Sequence, residues 1–295
     1  MTDTNSETAE RADEIDPVEL QINCGEQRLH ILRWGDGARH IVLLHGFPDN
    51  AWSMDAMANG LATLGCTVWA PFLRGYAPSD FAWDDRYDLS VLATDIIHLL
   101  AEIEARDCTL VGHDWGAVVA YAVSALGCER VSQVIALSVP PVPIFLKSTL
   151  PVSAQLYRSR YMLFFQAKYC ADWFIRRRGL RLIEDLWHRW SPSWTPPRPR
   201  IEQVKEAFQD AGRLEAALAY YRHNVPLLRP HGKATWILMN KPPQHAISCL
   251  VGTDDQCIHH SLFDSVTHPV IRLESVGHFL PLEAPDAVVE YIIST

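Results

Sequence analysis

The stretch Thr109-Leu110-Val111-Gly112-His113-Asp114-Trp115-Gly116-Ala117 passes from an apolar run, through a glycine-flanked turn, into a second apolar run ending Val118-Val119-Ala120-Tyr121-Ala122. Gly-x-(nucleophile)-x-Gly between strand and helix is a nucleophile elbow, which holds one side chain up at the carboxyl end of a sheet. Side chains in place of Gly112 and Gly116 would collide with the neighbouring strand and helix. The residue at the tip is Asp114. A carboxylate there opens a strained or activated alkyl centre and becomes an alkyl ester, and does not form the acyl-enzyme of ester or peptide hydrolysis. The plainer reading of the window is a surface aspartate in an ordinary strand-to-helix turn.

Outward from the elbow, strands and helices alternate. Upstream, Val18 to Asn23 and Arg28 to Trp34 read as short strands around Cys24-Gly25-Glu26. Ile41 to Leu44 reads as a strand buried on both faces and ends in His45-Gly46-Phe47-Pro48-Asp49. A helix over Trp52 to Leu64 and a strand over Thr67 to Ala70 follow. Leu89, Leu92, Ile96, Leu99, Leu100 and Ile103 then fall at helical spacing. Downstream of the elbow, Val131 to Leu137 is another strand. This alternation means a parallel sheet with right-handed crossovers. From about Pro140 to Pro243 no buried strand is legible. That stretch is rich in Trp, Tyr, Arg and Pro, and predicts helices over Ala154 to Gln166, Ala171 to Arg178, Arg181 to Trp190, Ile201 to Gln209 and Arg213 to His223. It reads as an insertion lying over the carboxyl edge of the sheet. The series resumes with a strand over His245 to Val251, the loop Gly252-Thr253-Asp254-Asp255, a short helix over His259 to Val266, a strand over Pro269 to Leu273, the loop Val276-Gly277-His278 and a helix over Ala284 to Ile293. The expected organisation is an acidic disordered tail (1–16), a core (17–139), a helical cap (140–243) and the rest of the core (244–295).

Composition sets the class. A chain of 295 residues with 48% hydrophobic and 21% charged content fits one large globular α/β domain with an insertion. A net charge of −9 with no basic stripe argues against nucleic acid or an anionic membrane as partner. The 7 cysteines are odd in number, scattered and without a Cys-x-x-Cys pair, which reads as reduced thiols in a cytoplasmic compartment. No apolar run reaches the roughly 18 residues of a membrane helix, and the polar, acidic amino terminus is not a secretory signal. Assembly is left open, and a homodimer is compatible with the sequence.

Asp114, Asp255 and His278 each follow the carboxyl end of an expected strand, the edge at which open parallel sheets bind ligands. His278 is set apart from the other histidines by its place between the last strand and the last helix. A neutral imidazole there can take a proton from water. Asp255 would orient it; Asp254 competes for that role, and the Gly-x-x-Asp spacing from Gly252 favours Asp255. An oxyanion formed on the Asp114 ester needs two N–H donors. The expected pair is the backbone of Trp115 and of Phe47, with Pro48 fixing the turn. Aromatic packing is the alternative role for both side chains. His45 and His113 read as structural. No metal or organic cofactor is expected.

Together these motifs resemble the α/β-hydrolase-fold epoxide hydrolases: HGFP (45–48), RGYAPSD (74–80), GHDWGA (112–117), SRYMLFFQ (159–166), LAYYR (218–222), GTDD (252–255) and GHFLPLEAP (277–285). The resemblance implies an α/β-hydrolase fold with a mostly parallel eight-stranded sheet, a catalytic triad in the order Asp114, Asp255, His278, and a small-molecule epoxide as substrate. It also implies that the lid tyrosines Tyr161 and Tyr221 hold and protonate the epoxide oxygen. A phenol of pKa about 10 suits a leaving alkoxide. Ordinary lid packing is the competing role for both. Tyr220 departs from the Trp that relatives often carry, and Arg160 places a charge beside the first lid motif. Haloalkane dehalogenases share the Asp nucleophile but need two N–H donors for halide. The Trp115 indole could supply one and Trp173, Trp187, Trp190 or Trp194 the other. Fluoroacetate dehalogenases share His-Gly-Phe-Pro but carry arginines after the nucleophile, where Trp115 and Ala117 stand. A ligand-binding receptor on the same fold is a further alternative.

Overall fold

The computed structural model describes residues 15–149, 153–225 and 230–295. Strands β1 (Val18–Cys24), β2 (Gln27–Trp34), β3 (Arg39–Leu44), β4 (Cys66–Pro71), β5 (Cys108–His113), β6 (Val131–Leu137), β7 (Ala246–Gly252) and β8 (Val270–Leu273) form one sheet in the order β1-β2-β4-β3-β5-β6-β7-β8. β1 pairs with β2, and β2 with β4, antiparallel. Every pairing from β4 to β8 is parallel. β4 and β5 are buried along their whole length, which is why they read as continuous apolar runs. β1 lies at the edge and alternates: Leu20, Ile22 and Cys24 turn inward while Glu19, Gln21 and Asn23 face water.

Helices α1 (Asp55–Thr63), α2 (Leu89–Glu102) and α3 (Trp115–Leu126) connect the first strands. On α2 the apolar spacing does what it predicts: Leu89, Leu92, Ile96, Leu99 and Leu100 are all buried. α3 ends at Gly127, whose left-handed φ of 72° closes the helix. Between β6 and β7 the described residues contain helices and no strand: α4 (Val142–Thr149), α5 (Ser153–Arg158), α6 (Arg160–Gln166), α7 (Lys168–Arg177), α8 (Arg181–Trp190), α9 (Arg198–Ala207), α10 (Ala211–Asn224) and α11 (Pro230–Met239). Helices α12 (Leu280–Glu283) and α13 (Pro285–Ser294) close the chain. Among the described residues no helix is long and apolar enough to cross a membrane.

Several expectations need correction. The helix over Ala154 to Gln166 is two helices, broken at Ser159, whose hydroxyl is taken by Gln155 at 2.9 Å. α4 and α11 have no counterpart in the sequence reading. The segment over Trp52 to Leu64 begins as a 3-10 turn, Ala51–Met54, capped by Asn50, before α1 continues it. Residues 1–14 of the expected disordered tail lie outside the described residues. Ile15, inside that expected tail, exchanges hydrogen bonds with the Asn59 side chain through both its N–H and its carbonyl, each at 3.1 Å.

The strand order decides where a site can form. From β3 the chain first adds β4 on one side and later β5 on the other, so the loops leaving β3 and β5 meet where the order reverses. Those loops are His45-Gly46-Phe47-Pro48 and the elbow. They touch so closely that a methyl at Gly116 would overlap the Leu44 carbonyl, and one at Gly46 would overlap Asp114. Gly116→Ala should therefore cost roughly 2–4 kcal/mol of stability. Gly60→Ala, whose methyl meets only the Val289 side chain, should stay within about 1 kcal/mol of wild type. Urea unfolding of the two variants checks the contrast.

Candidate active site

Asp114 sits between β5 and α3 with φ 51° and ψ −117°, a conformation unfavourable for any residue with a side chain. Strain of this kind costs about 1–3 kcal/mol and persists only where the surroundings impose it. Here they do. The Asp114 N–H is held by the Leu137 carbonyl at 3.3 Å, and its own carbonyl accepts from Ala117 and Val118 in the first turn of α3. The result is a carboxylate at a helix amino terminus, where free N–H groups and the helix dipole favour negative charge.

Oδ1 of Asp114 accepts the Phe47 N–H at 2.8 Å. Trp115 opens α3, so its N–H has no acceptor within the helix. Oδ2 lies 3.6 Å from Nε2 of His278. On the other side of the ring, Nδ1 of His278 bonds Oδ2 of Asp255 at 2.8 Å. The remaining oxygen of Asp255 accepts the N–H groups of Cys257 and Ile258 at 2.7 and 2.8 Å. Of the two neighbouring acids, Asp255 is thus the one on the imidazole. The structure brings Asp114, His278, Asp255 and Phe47 into one connected set.

Burial alone would lower the pKa of His278. The charges of Asp255 and Asp114 and its contacts to both outweigh burial and carry it up to about 10. For Asp114 burial would raise the pKa, and the contact to His278 and the Phe47 N–H more than compensate, so it is held below the usual carboxylate range. The sequence expects a neutral imidazole as base; in the resting protein the two buried carboxyl groups on either side raise the affinity of His278 for its proton. His113 is the reverse case. Burial first, and the His278 charge second, push it down to about 3. Its Nε2 faces the His278 carbonyl at 2.8 Å, and since a carbonyl only accepts, that nitrogen carries the proton. His45 is pushed down to about 4 by burial. Its Nδ1 donates to the Gly46 carbonyl and its Nε2 accepts the Leu73 N–H, both at 3.1 Å, which pins the loop that presents Phe47. The Phe47-Pro48 bond in that loop is cis.

Helices from the segment between β6 and β7 line a cavity over Asp114. The cavity, of about 150 Å³, is lined by Asp114, Trp115, Tyr161, Tyr221 and mostly apolar neighbours such as Phe145 and Met162. Tyr161 comes from α6 and Tyr221 from α10; their ring centroids are 5.9 Å apart. The two lid motifs are interlocked by their own flanking residues. Gln166 donates to the Tyr221 carbonyl at 3.3 Å, while Arg222 donates to the Phe165 carbonyl at 2.9 Å and pairs with Asp172 at 2.6 Å. The residues that make each motif recognisable thus fasten the two tyrosines to each other. The Tyr161 hydroxyl lies 3.6 Å from the Cys257 sulfur. The Tyr221 hydroxyl is buried, with the Trp115 side chain as its polar neighbour. Burial, with smaller contributions from nearby Cys257 and Asp114, holds both phenols well above their usual pKa, so both keep their protons.

Other residues singled out from the sequence fall elsewhere. Tyr220 donates to the Arg74 carbonyl at 2.9 Å and is fully buried. Arg160 stacks over Tyr157 at 3.7 Å, outside the cavity. Trp173 is 61% exposed. The Trp187 indole N–H is taken by the Pro48 carbonyl at 2.9 Å. Trp194 stacks on Trp187, and Trp190 meets the His278 ring edge-on at 5.1 Å. The sequence reading missed Ser138, which donates to the His278 carbonyl at 2.7 Å, and Ser191 and Glu283, which bond the backbone around His278. The only signal for Glu283 was its place inside the GHFLPLEAP stretch; Ser138 and Ser191 left none.

An aspartate on a glycine-flanked strand-to-helix turn, facing a histidine bonded to a second carboxylate on this eight-stranded sheet, marks the α/β-hydrolase fold. The chain belongs to the alpha/beta hydrolase family, whose sequence profile it matches over residues 41–291. It is 37% identical over 164 residues to epoxide hydrolase A of Mycobacterium tuberculosis, a match taking in 53% of this chain and 50% of that protein. It is 28% identical over 280 residues to epoxide hydrolase 3 of Mus musculus (90% and 72%), and 30% identical over 213 residues to AB hydrolase superfamily protein YfhM of Bacillus subtilis (70% and 74%). The match thus spans half the length of the first of these relatives. Among solved structures, epoxide hydrolase A from Mycobacterium thermoresistibile superposes with a TM-score of 0.74 at 27% identity, covering 94% of this chain and 97% of that one.

The charge assignments are open to direct measurement. Nitrogen-15 NMR of histidine-labelled protein should find His278 as imidazolium at pH 7.5 and His113 and His45 neutral down to pH 5; a His278 midpoint near 6.5 would contradict the shared-proton arrangement. Because the folded pKa is raised, to about 10 from 6.5, the linked stability is present in full below pH 6.5. It is lost as pH rises through about 10.

Proposed function

We propose that this protein is an epoxide hydrolase that converts an epoxide and water to a vicinal diol through an ester on Asp114. The observation that carries the reading is the convergence, on one apolar cavity, of an ionised Asp114 and two protonated phenols, Tyr161 and Tyr221. An epoxide opens when a nucleophile attacks a ring carbon while the oxygen receives a proton. Those are the two things this cavity offers. The names of the relatives described above support the same reading.

In the first step Oδ2 of Asp114, the oxygen not bonded to Phe47, attacks a ring carbon. The C–O bond breaks and a tyrosine proton passes to the oxygen. Oδ1 then becomes the ester carbonyl, already seated on the Phe47 N–H. Ester formation removes the Asp114 charge, one of the two that raise the pKa of His278. The imidazolium therefore loses affinity for its proton, which passes to the tyrosinate left by the first step, and the neutral imidazole is free to act as base. In the second step His278, oriented by Asp255, takes a proton from water, and the hydroxide adds to the Asp114 ester carbon. The oxyanion rests on the N–H groups of Phe47 and Trp115. The ester collapses, His278 returns its proton to the departing alkoxide, and the proton released as Asp114 re-ionises restores the His278 imidazolium. Both oxygens of the diol are then accounted for, one from the epoxide and one cleaved from Asp114.

A haloalkane dehalogenase reading uses the same Asp114 but needs two N–H donors at a halide site. Trp115 lines the cavity, but Trp187 is committed to Pro48 and Trp173 is exposed. Incubation with styrene oxide and with 1-bromobutane separates the readings: diol from the first is expected, and bromide from the second without diol would overturn the assignment. His278→Ala should accumulate an adduct whose intact mass exceeds the protein's by that of the epoxide. Tyr161→Phe combined with Tyr221→Phe should slow adduct formation by about 10³-fold or more, in line with the loss of a positioned general acid. That is read by rapid quench on the His278→Ala background.

A further inference from the structure

The backbone of His278 is gripped by side chains from distant parts of the chain. Glu283, on α12, accepts three hydrogen bonds: Oε2 from the Gly277 N–H at 2.7 Å, and Oε1 from the Phe279 N–H at 2.8 Å and from the Ser191 hydroxyl at 2.5 Å. The Ser191 hydroxyl has one proton and gives it to Glu283. Its oxygen is thereby turned to accept the His278 N–H at 2.8 Å. Three successive N–H groups, of residues 277, 278 and 279, thus end on one carboxylate, the middle one through a hydroxyl. The next atoms along are also held, since the His278 carbonyl accepts from Ser138 and His113.

Ser191 does not belong to the sheet. It follows α8, in the helical segment that covers the cavity. It is fully buried against the His278 loop, and a methyl at Gly277 would overlap its hydroxyl. The preceding residue, Trp190, packs against the His278 ring. The link between covering helices and imidazole is therefore both a hydrogen bond and a packed ring.

We propose that Glu283 and Ser191 are positioning residues that make the bearing of the His278 base depend on the seated cap. With α8 in place, the His278 N–H has its acceptor, and Nδ1 and Nε2 stand at 2.8 Å from Asp255 and 3.6 Å from Asp114. With α8 displaced, the N–H loses Ser191, the Glu283 carboxylate loses one donor, and the ring loses the Trp190 wall. Water activation is thereby confined to the closed site. The inference rests on the two-step reading above and places the effect in one step only. Attack by Asp114 does not use His278 as a base; hydrolysis of the ester does.

The test uses Glu283→Gln and Ser191→Ala in the full-length protein with styrene oxide. A glutamine has the same shape but one acceptor oxygen, so it cannot serve Gly277 and Phe279 from separate atoms. In rapid-quench experiments with intact-mass detection, ester formation should stay within about twofold of wild type, and ester hydrolysis should slow by about tenfold. kcat and KM then fall together, and kcat/KM is nearly unchanged. Equal loss of kcat and kcat/KM with no ester build-up would overturn the proposal, as would wild-type hydrolysis in either variant. If Glu283→Gln does not fold, Ser191→Ala decides alone. His278→Ala is run alongside. If it too forms no adduct, the ester mechanism itself has failed, an outcome separate from failure of the positioning role.

Discussion

The attraction between one buried imidazolium and two buried carboxylates sets the terms for everything around it. Taking three charges out of water costs several kcal/mol for each ion unless every lone pair and proton finds a partner. Asp255 meets that demand with two backbone N–H groups and the His278 Nδ1 proton. Asp114 meets it with the Phe47 N–H, the amino terminus of α3 and the more distant Nε2. The unequal distances on the two sides of the ring matter. The 2.8 Å bond to Asp255 fixes the orientation of the imidazole, while the 3.6 Å gap to Asp114 leaves Nε2 without a hydrogen bond and the nearby carboxylate oxygen unshielded. The same asymmetry suits an orienting acid on one side and a reacting group on the other.

The backbone is strained for this arrangement at the elbow. Asp114 holds a left-handed φ that its side chain opposes, and glycines before and after it let the strand, helix and neighbouring loop close to contact distance. That closeness follows from strand order, since the loops after β3 and β5 adjoin only because β4 and β5 lie on opposite sides of β3. His45 then serves the same end with its neutral tautomer, bonding both its own loop and the one after β4.

What the sequence revealed and what it hid divide along this line. Residues whose role depends on local order were legible. The elbow announces itself within one short window; β3, β4 and β5 are continuous apolar runs because both faces are covered; and α2 shows its buried stripe at helical spacing. Residues whose role depends on distant partners were not. Nothing near Ser191 marks it, because its partners Glu283 and His278 are far along the chain. The Gly-x-x-Asp spacing already favoured Asp255 over Asp254, and His278 Nδ1 lies on Asp255. The charge state of His278 needed the count of carboxylates around it, which no spacing supplies. Helix α11 escaped notice for a local reason: it opens with Pro230 and carries Gly232, and its buried residues, Gly232, Thr235, Leu238 and Met239, do not make a strong apolar stripe. The Gln166 and Arg222 cross-bonds explain afterwards why Tyr161 and Tyr221 travel with those neighbours.

On the reading proposed above, the protonation pattern also bears on which kind of bond the site breaks. A halide leaves as a stable anion and needs only dipoles to receive it. An alkoxide does not leave at neutral pH without a proton, and a phenol supplies one only if it has kept it. Burial, with a smaller contribution from the Asp114 charge, favours the protonated form of Tyr161 and Tyr221. Their resting partners are the Cys257 sulfur at 3.6 Å for Tyr161 and the Trp115 side chain for Tyr221. On the proposed reading, an epoxide oxygen accepts from both phenols, more strongly as it gains negative charge when the ring opens. The site then binds preferentially the state in which the C–O bond is breaking.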